Sequence, residues 1–142
     1  LPHGGPQAGP ALMIPAALGA GFGELGKHGS IINRALGASF RLASVLTEMP
    51  LEPDGQDDFG ADAFCRSCRV CARACPPRAI GHEKRLVRGE VKWYVDFDKC
   101  ISYFNESYGC GICIAICPWS RPGVAPRLAE KLSRRRHGAE DS

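Results

Sequence analysis

The sequence predicts an α+β fold of short elements, on three observations: two proline-terminated cysteine runs, an alternating apolar segment, and one helix-period segment near the end. Its 142 residues allow one or two small domains, burying about two-thirds of the unfolded surface. Seventeen Gly and eleven Pro imply many turns and few long elements. The net charge is only +3, and much of the basic excess sits at Arg134, Arg135 and Arg136. A general basic face for nucleic acid is therefore not expected. No apolar run reaches the roughly 18 residues of a membrane span, and no signal-peptide pattern is present. The opening is Pro/Gly-rich and begins at Leu1, which reads as the middle of a longer chain.

Taken in order, Ala11 to Ala20 is apolar and reads as a short helix begun near Pro15. A glycine-dense turn follows, then a short helix from Ile31 to Leu36. From Ser39 to Thr47 the alternation of Phe40, Leu42 and Leu46 with Arg41, Ala43 and Val45 predicts a strand with a buried face. Leu51 to Asp58 turns acidic without a period and reads as linker. Asp62 is an N-cap candidate for a helix leading into Cys65, and Ala72 to Cys75 forms a helical turn. Ala79-Ile80 pairs with Val91 to Val95 across a polar stretch that carries His82 at the surface. Asp98 caps a helix bearing Cys100, Tyr103 and Phe104. Ala125 to Arg136 is an amphipathic helix with cations at its C-terminal end, where they complement the helix dipole.

The cysteines carry the strongest signal. Cys65, Cys68, Cys71, Cys75, Pro76 and the shorter Cys110, Cys113, Cys117, Pro118 keep the C-x2-C and C-x3-C-P spacings with which bacterial ferredoxins hold iron-sulfur clusters. In that pattern the last Cys of each run ligates the cluster of the other. One site is then Cys65, Cys68, Cys71 and Cys117. The second has Cys75, Cys110 and Cys113 and is one thiolate short, since Ser107 stands three before Cys110. Cys100, the remaining cysteine, completes it, giving two [4Fe-4S] clusters. Cys pairs this closely spaced cannot all meet disulfide geometry. Tetrahedral zinc requires neither the third Cys at this spacing nor the proline. Trp93, Tyr94, Tyr108, Ile112, Ile114, Ile116 and Trp119 are expected to exclude water from the clusters.

The glycine turn, Gly19 to Ser30, is more ambiguous. Gly21, Gly23 and Gly26 spell G-x-G-x-x-G, with Glu48 at the distance of a ribose-binding acid, yet no clean strand precedes them. A P-loop reading fails at His28, where Ser or Thr must meet magnesium. What remains is close approach of backbone to a large ligand or to another backbone, with Lys27 and His28 able to neutralise a phosphate. A packed turn serves equally well.

Three stretches together resemble the C-terminal part of corrinoid-dependent reductive dehalogenases: Gly23 to Gly29, Phe40 to Leu51 and Gly109 to Trp119. Phe64 to Pro76 matches that family's first cluster motif. Epoxyqueuosine reductase, a relative, has a similar turn but typically reads Trp-Ile-Gly-Lys-Asn-Thr where this chain has Glu24 to Gly29. The resemblance implies an α+β chain in which a two-[4Fe-4S] ferredoxin-like module follows a fragment of a nitroreductase-like corrinoid-binding domain. Its segments are 1–50 (corrinoid-domain remnant), 51–61 (linker), 62–122 (two-cluster domain) and 123–142 (helix and basic tail). It also implies that Gly23, Gly26, Lys27, His28 and Ser30 rim a cobalamin. Arg41 is a candidate contact for substrate or halide, with a salt-bridged strand Arg as the plainer account. Electrons from an external or fused donor, a ferredoxin or flavoprotein reductase, would reach cobalt and remove halide from an organohalide. The stretch from Tyr103 to Pro122 looks most like cytoplasmic members. A free-standing ferredoxin-like electron carrier is the rival reading. The family's proton-donating residues lie outside this sequence, so no catalytic residue is assigned within it.

Overall fold

The computed structural model describes residues 13–52 and 54–140. In chain order it contains α1 (Met13–Gly19), the antiparallel pair β1 (Glu24–Leu25) and β2 (Ile31–Ile32), α2 (Ala61–Ser67), α3 (Val70–Ala74), the hairpin β3 (Arg85–Val87) and β4 (Glu90–Lys92), α4 (Phe97–Glu106), α5 (Ile112–Ala115), a 3-10 turn at Pro118–Ser120, and α6 (Val124–Glu140). The helix expected from Ala11 to Ala20 is α1, with residues 11 and 12 outside the described part.

One buried cluster draws on Ile32, Ala38, Phe59, Cys65, Trp93, Cys117, Trp119, Ala125 and Ala129. Its centre is Trp119, whose ring meets Phe59 and Phe64 edge-on at 5.5 and 5.7 Å, the arrangement that aromatic quadrupoles favour. Helix α6 adds Ala125, Leu128, Ala129 and Leu132 at helical spacing, as its amphipathic pattern requires. Packing thus crosses the sequence boundaries near residues 50, 62 and 122. A second cluster of Cys71, Ala72 and Ile80, with Cys75, Val95 and Cys113 against it, lies between the cysteine runs.

Several local expectations are corrected. Residues 31–36 are not a helix. Ile31 and Ile32 pair with Leu25 and Glu24, and Asn33 Oδ1 accepts from the Ala35 and Leu36 N–H groups, both at 2.9 Å. That side-chain competition for backbone donors favours a turn over a helix. Ser39 to Thr47 forms no strand, and Val45 and Leu46 are 88% and 98% exposed. Alternation alone does not make a strand, and no neighbouring strand supplies a ladder among the described residues. Ala79 and Ile80 do pair as expected, at the Val95-Asp96 end. Val91 instead opposes Leu86 inside the hairpin. Helix α4 is capped by Asp96, whose carboxylate accepts from Lys99 N–H at 3.2 Å, while Asp98 sits in the first turn.

Asp62 does not cap α2 either. The cap position is Gly60, in the left-handed region at φ 90° and without a side chain to offer. Glu24, from β1, replaces it: its carboxylate accepts from the N–H groups of Phe59, Ala61 and Asp62 at 3.0, 2.9 and 3.0 Å. An anion at this end also complements the helix dipole. Asp62 is freed to accept from Trp93 Nε1 at 2.8 Å and to pair with Lys84.

Within the glycine turn His28 is buried. Its Nδ1 accepts from Ser30 N–H at 3.1 Å, which assigns the proton of the neutral ring to Nε2, and that atom has no partner in the structure. Burial lowers its pKa to about 4.

Two consequences are measurable. Glu24→Ala should cost about 1–3 kcal/mol of stability by chemical denaturation, since three hydrogen bonds to a charged acceptor disappear together. His28, with its folded pKa depressed from 6.5 to about 4, binds a proton more readily when unfolded. Stability is therefore full above about pH 6.5 and should fall by at most roughly 3 kcal/mol as pH drops toward 4. Denaturation midpoints of wild type and His28→Phe across that window should converge at low pH if this is so, and run parallel if not.

Candidate metal centres

The two cysteine runs fold as structural echoes. In the first, α2 carries Cys65 and ends at Cys68, whose extended backbone turns the chain into α3 with Cys71. Cys75 then leaves α3 with φ −71° and ψ 111°, because the following Pro76 disfavours a helical residue before it. In the second, Cys110 precedes α5, Cys113 lies within it, and Cys117 leaves it extended before Pro118. Helix α3 packs against α5, which brings the runs side by side. Cys100 arrives separately on α4.

The thiols fall into two neighbourhoods. Burial pushes the Cys65 thiol up to about 12; the Lys27 backbone N–H opposes the rise, and Cys117, Cys71 and Cys68 add to it. Cys71 is raised to about 11, again first by burial, then by Cys117 and Cys68. Cys117 is raised by burial and by Cys68, against the N–H groups of Trp119 and Ser120. The other group adjoins this one, since Cys113 also raises Cys71. Cys113 is raised by burial, with Cys110, Cys75 and Cys100 contributing and the Ile114 N–H opposing. Cys100 is raised by burial, Cys75 and Cys110. Cys75 accepts from the Ala79 N–H at 3.3 Å. Each run thus sends its last sulfur into the other run's group.

This donor set fits iron-sulfur clusters. All eight cysteines are free thiols. Thiolates withdrawn from water and facing one another are costly unless cations join them, and backbone N–H groups aimed at sulfur are the usual accompaniment of cluster ligation. Among the described residues no three metal-binding side chains converge tightly enough to share a single ion. Tetrahedral zinc needs its donors about 2.3 Å from one point, whereas a cubane spreads its thiolates around a larger cage. The water shield is narrower than expected: Trp93 and Trp119 are buried, but Tyr108, Ile112 and Ile116 are exposed. The first group holds the three buried cysteines, Cys65, Cys71 and Cys117, and the second is more open.

The other candidate residues lie elsewhere. A Cβ on Gly21 would meet the Gly55 carbonyl at 2.4 Å, and one on Gly23 the Ile32 carbonyl at 2.1 Å. These glycines admit the chain's own backbone, which removes the need for a dinucleotide. Lys27 is also buried, its Nζ donating to the Cys68 carbonyl at 2.7 Å. Gly23 and Gly29 line an open cleft of about 870 Å³, shared with Met13, Leu18, Glu24 and Trp93. Arg41 is exposed in a separate shallow groove beside Phe22 and, among the described residues, makes no ion pair. Glu24 and the Lys27–Trp93 pair were not singled out from sequence as working together, because each contact joins residues more than thirty positions apart.

These features have relatives among known proteins. A 4Fe-4S dicluster domain matches residues 64–121, which hold all eight cysteines. The chain is 38% identical to the tetrachloroethene reductive dehalogenase of Sulfurospirillum multivorans, over 78% of this chain and 24% of that protein. It is 35% identical to the epoxyqueuosine reductase of Escherichia coli, over 81% of this chain and 31% of that one. Among solved structures, the catabolic reductive dehalogenase NpRdhA in complex with 3-bromo-4-hydroxybenzoic acid matches with a TM-score of 0.72 at 31% identity, over 89% of this chain and 21% of its own. The chain spans about a quarter of the length of the dehalogenases it matches. Two interleaved thiol groups within a dicluster domain, on a backbone shared with these enzymes, make the chain similar to one part of the reductive dehalogenases, with the epoxyqueuosine reductases as further relatives.

Proposed function

We propose that this chain is the electron-delivering portion of a reductive dehalogenase. Cys65, Cys68, Cys71 and Cys117 hold one [4Fe-4S] cluster, and Cys75, Cys100, Cys110 and Cys113 hold the other. The observation that carries the reading is the exchange of final sulfurs, Cys75 and Cys117, between the two runs. When bound, the clusters supply one-electron transfer at low potential. The chain's own residues exclude water from the first cluster with Trp93 and Trp119. They direct N–H groups at both, and hold the groups side by side through α3 and α5.

In the full-length protein, residues 1–50 belong to a nitroreductase-like corrinoid domain, and 62–122 form the cluster module, with 51–61 as connector and 123–142 as the closing helix and tail. The glycine turn with Gly23, Gly26, Lys27, His28 and Ser30 forms part of the corrinoid rim, Gly23 through the open cleft and the buried Lys27 and His28 by supporting it. A corrinoid supplies the carbon–halogen cleavage. Two electrons and a proton are taken up for each halide released, the electrons arriving from a ferredoxin or flavoprotein reductase. Epoxyqueuosine reduction is the second reading, favoured by the 35% identity to that enzyme. Halide release by the corrinoid-loaded full-length protein supports the first reading, and epoxyqueuosine turnover without halide release supports the second. Redox activity with no corrinoid retained indicates a simple carrier.

The ligand assignment has its own test. Anaerobically reconstituted Cys100→Ser should lose cluster iron and sulfide to about half while keeping the first cluster; Cys117→Ser should do the converse. Full content of both clusters in Cys100→Ser would remove that residue from the ligand set.

A further inference from the structure

Lys27 is 1% exposed. Its ammonium donates to the Cys68 carbonyl at 2.7 Å and stands 4.8 Å from the centre of the Trp93 ring. Among the described residues it has no carboxylate partner. Asp62, which Trp93 links to the same network, is engaged by Lys84 at 2.8 Å and by Trp93 Nε1 at 2.8 Å. Lys84 also approaches the Trp93 ring, at 5.6 Å, but it is partly exposed and already neutralised. One carbonyl and one ring face solvate an ammonium without balancing it, and a buried cation ordinarily requires an anion.

The direction of that missing anion is given by the contacts. The carbonyl that Lys27 engages is that of Cys68, and the Lys27 backbone N–H acts on the sulfur of Cys65. Both belong to the first thiol group. Four thiolates leave a cubane with net negative charge, which grows by one unit when the cluster accepts an electron.

We propose that the iron-sulfur cluster of the first group is the counter-anion of Lys27, and that this buried ammonium stabilises the reduced cluster and raises its reduction potential. The inference rests on the ligand assignment proposed above. Lys27 is a positioning residue in electrostatic terms: on reduction one electron enters the cluster from the donor, and no bond forms or breaks. Net charge and hydrogen bonds to sulfur are the levers by which proteins set such potentials, and burial strengthens the first of them. The second group, which Lys27 does not touch, serves as an internal control.

The test is an EPR-monitored redox titration with dithionite on the anaerobically reconstituted full chain, with iron and sulfide measured on each sample. Lys27→Met and Lys27→Gln should shift the midpoint of one cluster to lower potential and leave the other in place, while Lys27→Arg stays near wild type. Neutral variants with complete clusters and both midpoints unmoved overturn the proposal and leave the ligand assignment standing. Wild type that fails to hold two cubanes overturns the assignment itself. If the neutral variants cannot hold the first cluster, Lys27→Arg decides: a retained cluster shows that the charge is required, and loss in all three shows a steric role and overturns the proposal.

Discussion

Sulfur withdrawn from water and crowded against other sulfur resists ionisation, and the organisation of this chain follows from that constraint. The Cys65 and Cys71 thiols are pushed up to about 12 and 11, so a metal must displace their protons and replace the lost solvation. Short helices ending at Cys-Pro steps meet the geometric half of the problem. They release the last sulfur of each run in an extended conformation, free to serve the neighbouring group. Backbone N–H groups from Lys27, Ala72, Ile114, Trp119 and Ser120 meet part of the electrostatic half.

The segment before the cysteines is coupled to the first group more closely than a connector would be. Glu24 supplies the cap that Gly60 lacks, fixing the start of the helix that carries Cys65. Three residues later, Lys27 reaches the carbonyl at the other end of that helix. The β1–β2 turn therefore clamps α2 at both ends, and the glycines that let it fold so tightly are occupied by the chain's own carbonyls. Arg34 reinforces the approach, pairing with Asp57 and lying 5.3 Å from the Phe59 ring centre.

Legibility in the sequence tracked the range of the interaction. Cysteine spacing and the Cys-Pro steps are local signals, and the last cysteines of the two runs, Cys75 and Cys117, do stand beside thiols of the opposite run. The helical stripe of α6 was equally plain. Caps were misplaced by a residue or two at Asp98, and at Asp62 because the true capping group comes from β1. Ile31 to Leu36 was misread because Asn33 competes for the backbone, and Ser39 to Thr47 because alternation says nothing about whether a partner strand exists. Trp93 was expected among the shielding residues, but nothing near it announced Lys27 above its ring.

The two thiol groups adjoin, since Cys71 also feels Cys113 across the α3–α5 contact. Two paramagnetic clusters bound at these adjoining groups would interact magnetically. The most direct measurement is EPR of the fully reduced, anaerobically reconstituted chain. The account predicts iron and sulfide for two cubanes and a broadened spectrum from interacting spins. A single cluster, or two whose signals add without interaction, would contradict it.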